Sequence, residues 1–107
     1  MLAGMPGFLE AIAMLLPSDA GGRAAAVSPR DGSYRPFAIA AESRLRIRMI
    51  EGPPLLAPGQ SARVVVEVES GAIESLIPGS ELDLVEYDDA PIGILTVLRV
   101  MRVAVAV

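Results

Sequence analysis

An all-β fold, a small antiparallel barrel of six or seven short strands, is what this sequence predicts, and three observations predict it. Arg44, Arg46 and Arg48 alternate with Leu45, Ile47 and Met49. A strand sends successive side chains to opposite faces, so this segment has one arginine face and one apolar face. The segment from Ser61 to Ser70 repeats the device: Val64, Val66 and Val68 point one way, and Arg63, Val65, Glu67 and Glu69 the other. Turn-forming pairs such as Pro58-Gly59, Pro78-Gly79 and Asp88-Asp89 separate the apolar runs, and no segment carries the period of a long helix.

The elements follow in chain order. Phe8 to Leu16 (FLEAIAMLL) contains helix-favouring residues, but Pro6 and Pro17 bracket it at strand length. The β pattern downstream decides for a strand. Pro17 to Gly32 is a long loop rich in Gly, Pro, Ser and Asp. Tyr34 to Ala41 reads as a strand whose Pro36 cannot donate a ladder hydrogen bond and belongs at an edge, a start or a bulge. The organising pair spans Arg44 to Ser70, its two halves separated by a loop containing Pro53, Pro54, Pro58 and Gly59. Glu81 to Tyr87 alternates Leu82 and Leu84 with charged neighbours. Ile92 to about Met101 is apolar on both sides, with Ile92, Ile94, Leu98 and Val100 on one and Leu95, Val97, Met101 and Val103 on the other. A chain of 107 residues suits one domain, 1–107, with its core over 8–103 and a tail at 101–107.

Composition removes several function classes. Hydrophobic residues make up 52% of the chain, far from a disordered composition. No apolar run approaches the roughly 20 residues a membrane-spanning helix needs. The N-terminal MLAGMPGFLEAIAMLL lacks a basic leader region and is broken by Pro6, Gly7 and Glu10, so it reads as structure, not as a signal peptide. A cytoplasmic setting without membrane contact is expected. Cysteine, histidine, lysine, asparagine and tryptophan are absent. Without lysine there is no P-loop lysine and no Schiff base; without histidine there is no Ser-His triad and no imidazole metal ligand. All nine basic residues are arginines, which a G- and C-rich genome explains more simply than arginine chemistry does. Net charge is −4, with seven arginines between Gly21 and Arg63 and most acids after Val64. Such asymmetry marks either a binding face or opposite charges meeting across neighbouring strands.

In order along the chain come an opening strand, a loop with Gly21-Gly22-Arg23, a Tyr34-Arg35-Pro36-Phe37 strand, a Pro58-Gly59 turn before the valines at 64 to 68, and a closing strand with Gly93 embedded. This set, over roughly 8–100, resembles the third, C-terminal β-barrel domain of elongation factor Tu. The resemblance implies a barrel module that, in the family, contacts the T stem of aminoacyl-tRNA and packs on neighbouring domains and protein partners. The family's GTP hydrolysis belongs to another domain. No GxxxxGK[ST] occurs here, so neither GTPase activity nor nucleotide binding carries over.

Each candidate residue has two readings. Arg23 matches the arginine that touches RNA in the family, but Ala24, Ala25 and Ala26 replace the polar residues that follow it there. The plainer reading is a solvated loop arginine. Arg44, Arg46 and Arg48 form a cationic row spaced about 7 Å apart, fit for phosphates or an acidic partner. The favoured reading pairs the row with Glu67 and Glu69 on the adjacent strand. Tyr34 and Arg35 offer stacking and charge, although four aromatic residues make no stacking platform. Asp88 and Asp89, with Asp83 and Glu86 nearby, are the one carboxylate cluster, and a turn accounts for them. In the family the stretch before the last strand tends to be basic, so this acidic turn counts against RNA. Leu95, Val97, Met101, Val103 and Val105 are candidates for packing on a second copy, unless the 17–32 loop folds back over that face. The expected function is a non-enzymatic binding module acting through protein contacts or self-association, with no catalytic residue, cofactor or metal. The alternative is a translation-associated RNA (tRNA)-binding protein.

Overall fold

A computed structural model describes residues 7–41, 43–70, 73 and 75–102. Six strands are present among the described residues: β1 (Gly7–Leu15), β2 (Phe37–Ala40), β3 (Ser43–Glu51), β4 (Ser61–Ser70), β5 (Glu81–Val85) and β6 (Gly93–Arg102). They close into a barrel in the order β1-β4-β3-β2-β5-β6, every neighbouring pair antiparallel. The one helical element among the described residues is a 3-10 turn at Ser18–Ala20. None is long and apolar enough to cross a membrane.

β1 shows how context overrides propensity. Its alanines, leucines and Met14 favour a helix in isolation, yet β4 and β6 supply a hydrogen-bonding ladder along each side. Leu9, Ala11, Ala13 and Leu15 are fully buried, and the residues between them face outward. The pattern fits a strand with one face on a core.

The predicted register of the central pair holds. Leu45, Ile47, Met49 and Val66 are fully buried, Val64 and Val68 nearly so, and the three arginines point out. Small residues on the wall, Ala11, Ala13 and Ala38, leave room for the larger buried side chains in the interior.

Three residues break the alternation. Ile50 is skipped between the pairs Met49–Val66 and Glu51–Val65, and Glu69 between Arg46–Ser70 and Ile47–Val68. Leu98 is skipped between Ala11–Val97 and Glu10–Arg99. Each is an extra residue opposite a shorter stretch of its partner, which bends and twists the strand locally. The bulge at Leu98 corrects the two faces expected for β6, because the added residue reverses the alternation beyond it. Val100 turns inward opposite buried Leu9 and packs on the core, and Met101 turns outward opposite Phe8.

β2 is shorter than its sequence pattern because Pro36 has no N–H. The carbonyls of Tyr34 and Pro36 still accept from the Met49 and Ile47 amides, at 3.0 and 3.3 Å. The 17–32 loop does not cover the outer face of β6. It sends Val27 to Leu56, where two backbone hydrogen bonds of 2.9 and 2.8 Å bury both side chains, while Ala24, Ala25 and Ala26 stay exposed.

Candidate functional site

The arginine row is for the most part neutralised by acids. Arg48 lies opposite Glu67, and its Nε donates to Glu67 Oε1 at 2.6 Å. Glu69, pushed out on its bulge, takes Arg35: Nη2 of Arg35 donates to both carboxylate oxygens and Nε to Oε2 at 3.2 Å. The hydrogen bond from Arg35 holds the Glu69 carboxyl below its usual range and raises Arg35 in turn. Arg44 reaches Asp89 at 3.1 Å across an exposed gap. Arg44 and Arg46 also stand over Phe37, 4.3 and 5.4 Å from the ring centroid, within cation–π reach. No acid pairs with Arg46 among the described residues.

Arg23 is not a solvated loop side chain. Its Nε stands 2.7 Å from Glu86 Oε2. That N–H makes no aligned hydrogen bond, so the attraction there is of charge and not of direction. Its Nη1 donates to the carbonyls of Ala25 and Ala26 at 2.6 and 3.3 Å, tying the loop to its own arginine. The guanidinium lies 5.6 Å from the Tyr34 ring, and the Tyr34 hydroxyl donates to the same Glu86 oxygen at 2.6 Å. Burial, then the Glu86 carboxylate, push the Tyr34 hydroxyl well above its ordinary value. Arg23, Tyr34 and Glu86 therefore lock the loop to the end of β5, and each of these polar groups is spent on another.

The acidic turn does the work of a turn. Asp88 Oδ1 accepts from the Ala90 amide at 2.9 Å. Asp83 and Asp89 border a shallow hollow of about 320 Å³ with Arg44 and Ser43. No three carboxylates converge on a cation position among the described residues.

The outer face of β4, β1 and β6 is different in character. Phe8, Ile50, Val65 and Met101 line a groove of about 430 Å³, with Glu10, Glu51 and Arg99 as its polar members. Farther along the same face Ile12 and Met14 on β1 stand beside Thr96 and Ile94 on β6, all half-buried, and Leu98 is 40% exposed. Glu10, in the middle of this apolar strip, is held by two arginines: Arg63 contacts Oε2, and Arg99 Nε lies 3.4 Å from Oε1. The outward side chains of a solvated barrel strand are polar as a rule, and this strip departs from that rule.

Of the residues expected to pack on a second copy, Leu95 and Val97 are corrected to core positions, fully or nearly fully buried. Met101 is on the outer groove. Val103 and Val105 lie outside the described residues. Phe8 and Ile50 were not singled out by the sequence pattern. The signal available was Val65, an apolar residue on the polar face of β4 between Arg63 and Glu67.

Fold and surface define a class: a closed six-stranded antiparallel barrel, its interior packed with side chains and its outer face partly apolar. No family model and no curated protein matches the chain.

Proposed function

We propose that this chain is a non-enzymatic binding module working through protein contacts, as the resemblance to the third domain of elongation factor Tu implies. The observation that carries this reading is the apolar strip over β4, β1 and β6, because water-facing Phe8, Ile50, Val65 and Met101 gain by burial against another protein. The barrel is closed, so a partner has no strand edge to extend and must dock face to face through side chains. A cytoplasmic setting belongs to the same proposal.

One observation favours the second reading, a translation-associated RNA-binding protein: Arg44 and Arg46 flank Phe37, and Arg46 has no acid partner among the described residues. Against it stand the acids already engaged with Arg35, Arg44 and Arg48. Two measurements on the full chain separate the readings. Co-purification from the native cell, with wild type and Val65→Arg side by side, supports protein docking if a partner is retained only by wild type. Binding of labelled tRNA between about 50 and 200 mM salt supports the RNA reading if affinity falls steeply with salt and Arg44→Ala/Arg46→Ala abolishes it.

A further inference from the structure

Charge is placed unevenly over the apolar strip, and its placement selects an occupant. Glu10, on β1 in the middle of the strip, has a side chain only 13% exposed beneath two arginines. Arg63 of β4 meets one carboxylate oxygen and Arg99 of β6 the other, and both arginines stay about two-thirds exposed. Two cations therefore share one anion, and the unspent positive charge faces outward. Glu67, beside Phe8, is spent on Arg48. The other acids lie at the margins: Glu51 on β3, opposite Val65, and Glu81 on β5, opposite Thr96. Along the strands, apolar side chains stand on both sides of the cationic centre, with Phe8 and Met101 toward one end and Ile12, Met14 and Ile94 toward the other.

We propose that the strip receives an amphipathic α-helix of a partner protein, with one carboxylate inside its apolar face set on Arg63 and Arg99. A helix satisfies its own backbone hydrogen bonds. An extended segment laid on the side of a closed barrel would leave its amides unpaired against apolar side chains. From Phe8 to Met14 the strip runs about 20 Å, the length of roughly 13 helical residues. Glu10 is about 7 Å along the strand from Phe8 and from Ile12, so the partner's acid belongs three or four residues from apolar anchors on both sides. A single carboxylate fits the unspent charge, whereas a polyanion such as RNA would also meet Glu51 and Glu81 at the margins.

The inference rests on the binding-module reading, and its test separates the two. A displayed library of helical peptides of about 14 residues, one face randomised, is selected on the full chain. Enriched sequences should carry Asp or Glu flanked three or four residues away, on both sides, by Leu, Ile, Phe or Met. Calorimetry with the best synthetic peptide is expected to give a Kd of about 1–100 µM. Changing its acid to the amide should weaken binding about tenfold, and Met101→Asp in the chain should weaken it at least as much. Glu10→Gln frees both arginines and should tighten the acidic peptide by about threefold or more while leaving the amide peptide unchanged. Arg99→Gln, which leaves Glu10 its other arginine, should shrink the difference between acid and amide. Circular dichroism of each variant checks that the barrel is intact. Peptides that need Met101 but show no preference for an acid, or that keep their affinity with proline at the centre, overturn the acidic helix and leave the module reading standing. If no selected peptide loses affinity with Met101→Asp, both fall.

Discussion

Arg48 and Glu67 stand at directly opposed positions on β3 and β4, with Arg48 Nε 2.6 Å from Glu67 Oε1. That pair converts the last arginine of a cationic row into a cross-strand tie. It also fixes which way the strands face, since a slip of one residue would turn the arginine inward. The neighbouring acid, Glu69, cannot pair in the same way. Its bulge takes it off the ladder toward Arg35.

The pair has a measurable energy. Both side chains are partly exposed, so the interaction is modest. A double-mutant cycle with Arg48→Ala and Glu67→Ala is expected to give a coupling of about 0.5–1 kcal/mol by urea unfolding, decreasing at 1 M salt. A coupling indistinguishable from zero at low salt would remove the tie.

Tyr34 ties stability to alkaline pH. Its hydroxyl is raised above an unfolded value near 10, so the folded state holds this proton more tightly than the unfolded one. The stabilisation is fully present below pH ~10 and is lost as pH rises beyond it, by about 1.4 kcal/mol at pH 11. Tyr34→Phe removes the hydrogen bond to Glu86 and should cost about 1 kcal/mol at pH 8. Between pH 8 and pH 11 the gap between wild type and Tyr34→Phe should close. Urea midpoints at the two pH values measure it, and a gap unchanged with pH would contradict the assignment.

Much of the barrel was legible because strand patterning is local. Leu45, Ile47, Met49 and the valines from Val64 to Val68 declare their faces within a few residues. The bulges did not, because nothing near Leu98 distinguishes an inserted residue from one that keeps the alternation; the partner strand decides it. The Arg23–Glu86 contact joins residues far apart in sequence, so Arg23 looked solvated when only its alanine neighbours were in view. The outer groove was hidden for a related reason. Phe8 and Met101 each read as ordinary strand residues, and become a patch only when β1 lies between β4 and β6.

Two glycines separate backbone from side-chain constraint. A Cβ on Gly93 would overlap the Met14 carbonyl oxygen and press on Leu15 and Leu84 at 3.3 Å, where β6 passes close to β1. A Cβ on Gly7 would meet only the tip of the Ile73 side chain, which can rotate away. Gly93→Ala is expected to destabilise the chain by about 2 kcal/mol or more, and Gly7→Ala by less than about 1 kcal/mol. Thermal unfolding of the two variants should rank them in that order; the reverse ranking would contradict the close approach at Gly93.

The bulge at Leu98 makes the sharpest claim about β6. Continued alternation from Leu95 and Val97 would bury Met101 and expose Val100; the inserted residue exchanges them. Val100 packs on the core opposite Leu9, and Met101 faces outward beside Phe8. Charge at an inward position must be desolvated without a partner, whereas charge at an outward one stays in water. Val100→Asp should therefore destabilise the barrel by about 3 kcal/mol or more, and Met101→Asp by less than about 1 kcal/mol. Unfolding is best followed at low micromolar concentration, so that any effect of Met101→Asp on association does not enter the comparison. If Met101→Asp proves the more damaging, β6 runs without its bulge and the outer groove loses Met101. If the order is as expected, the same residue remains available to dock and dispensable for folding, so Met101→Asp becomes a tool for disrupting association in a chain that still folds.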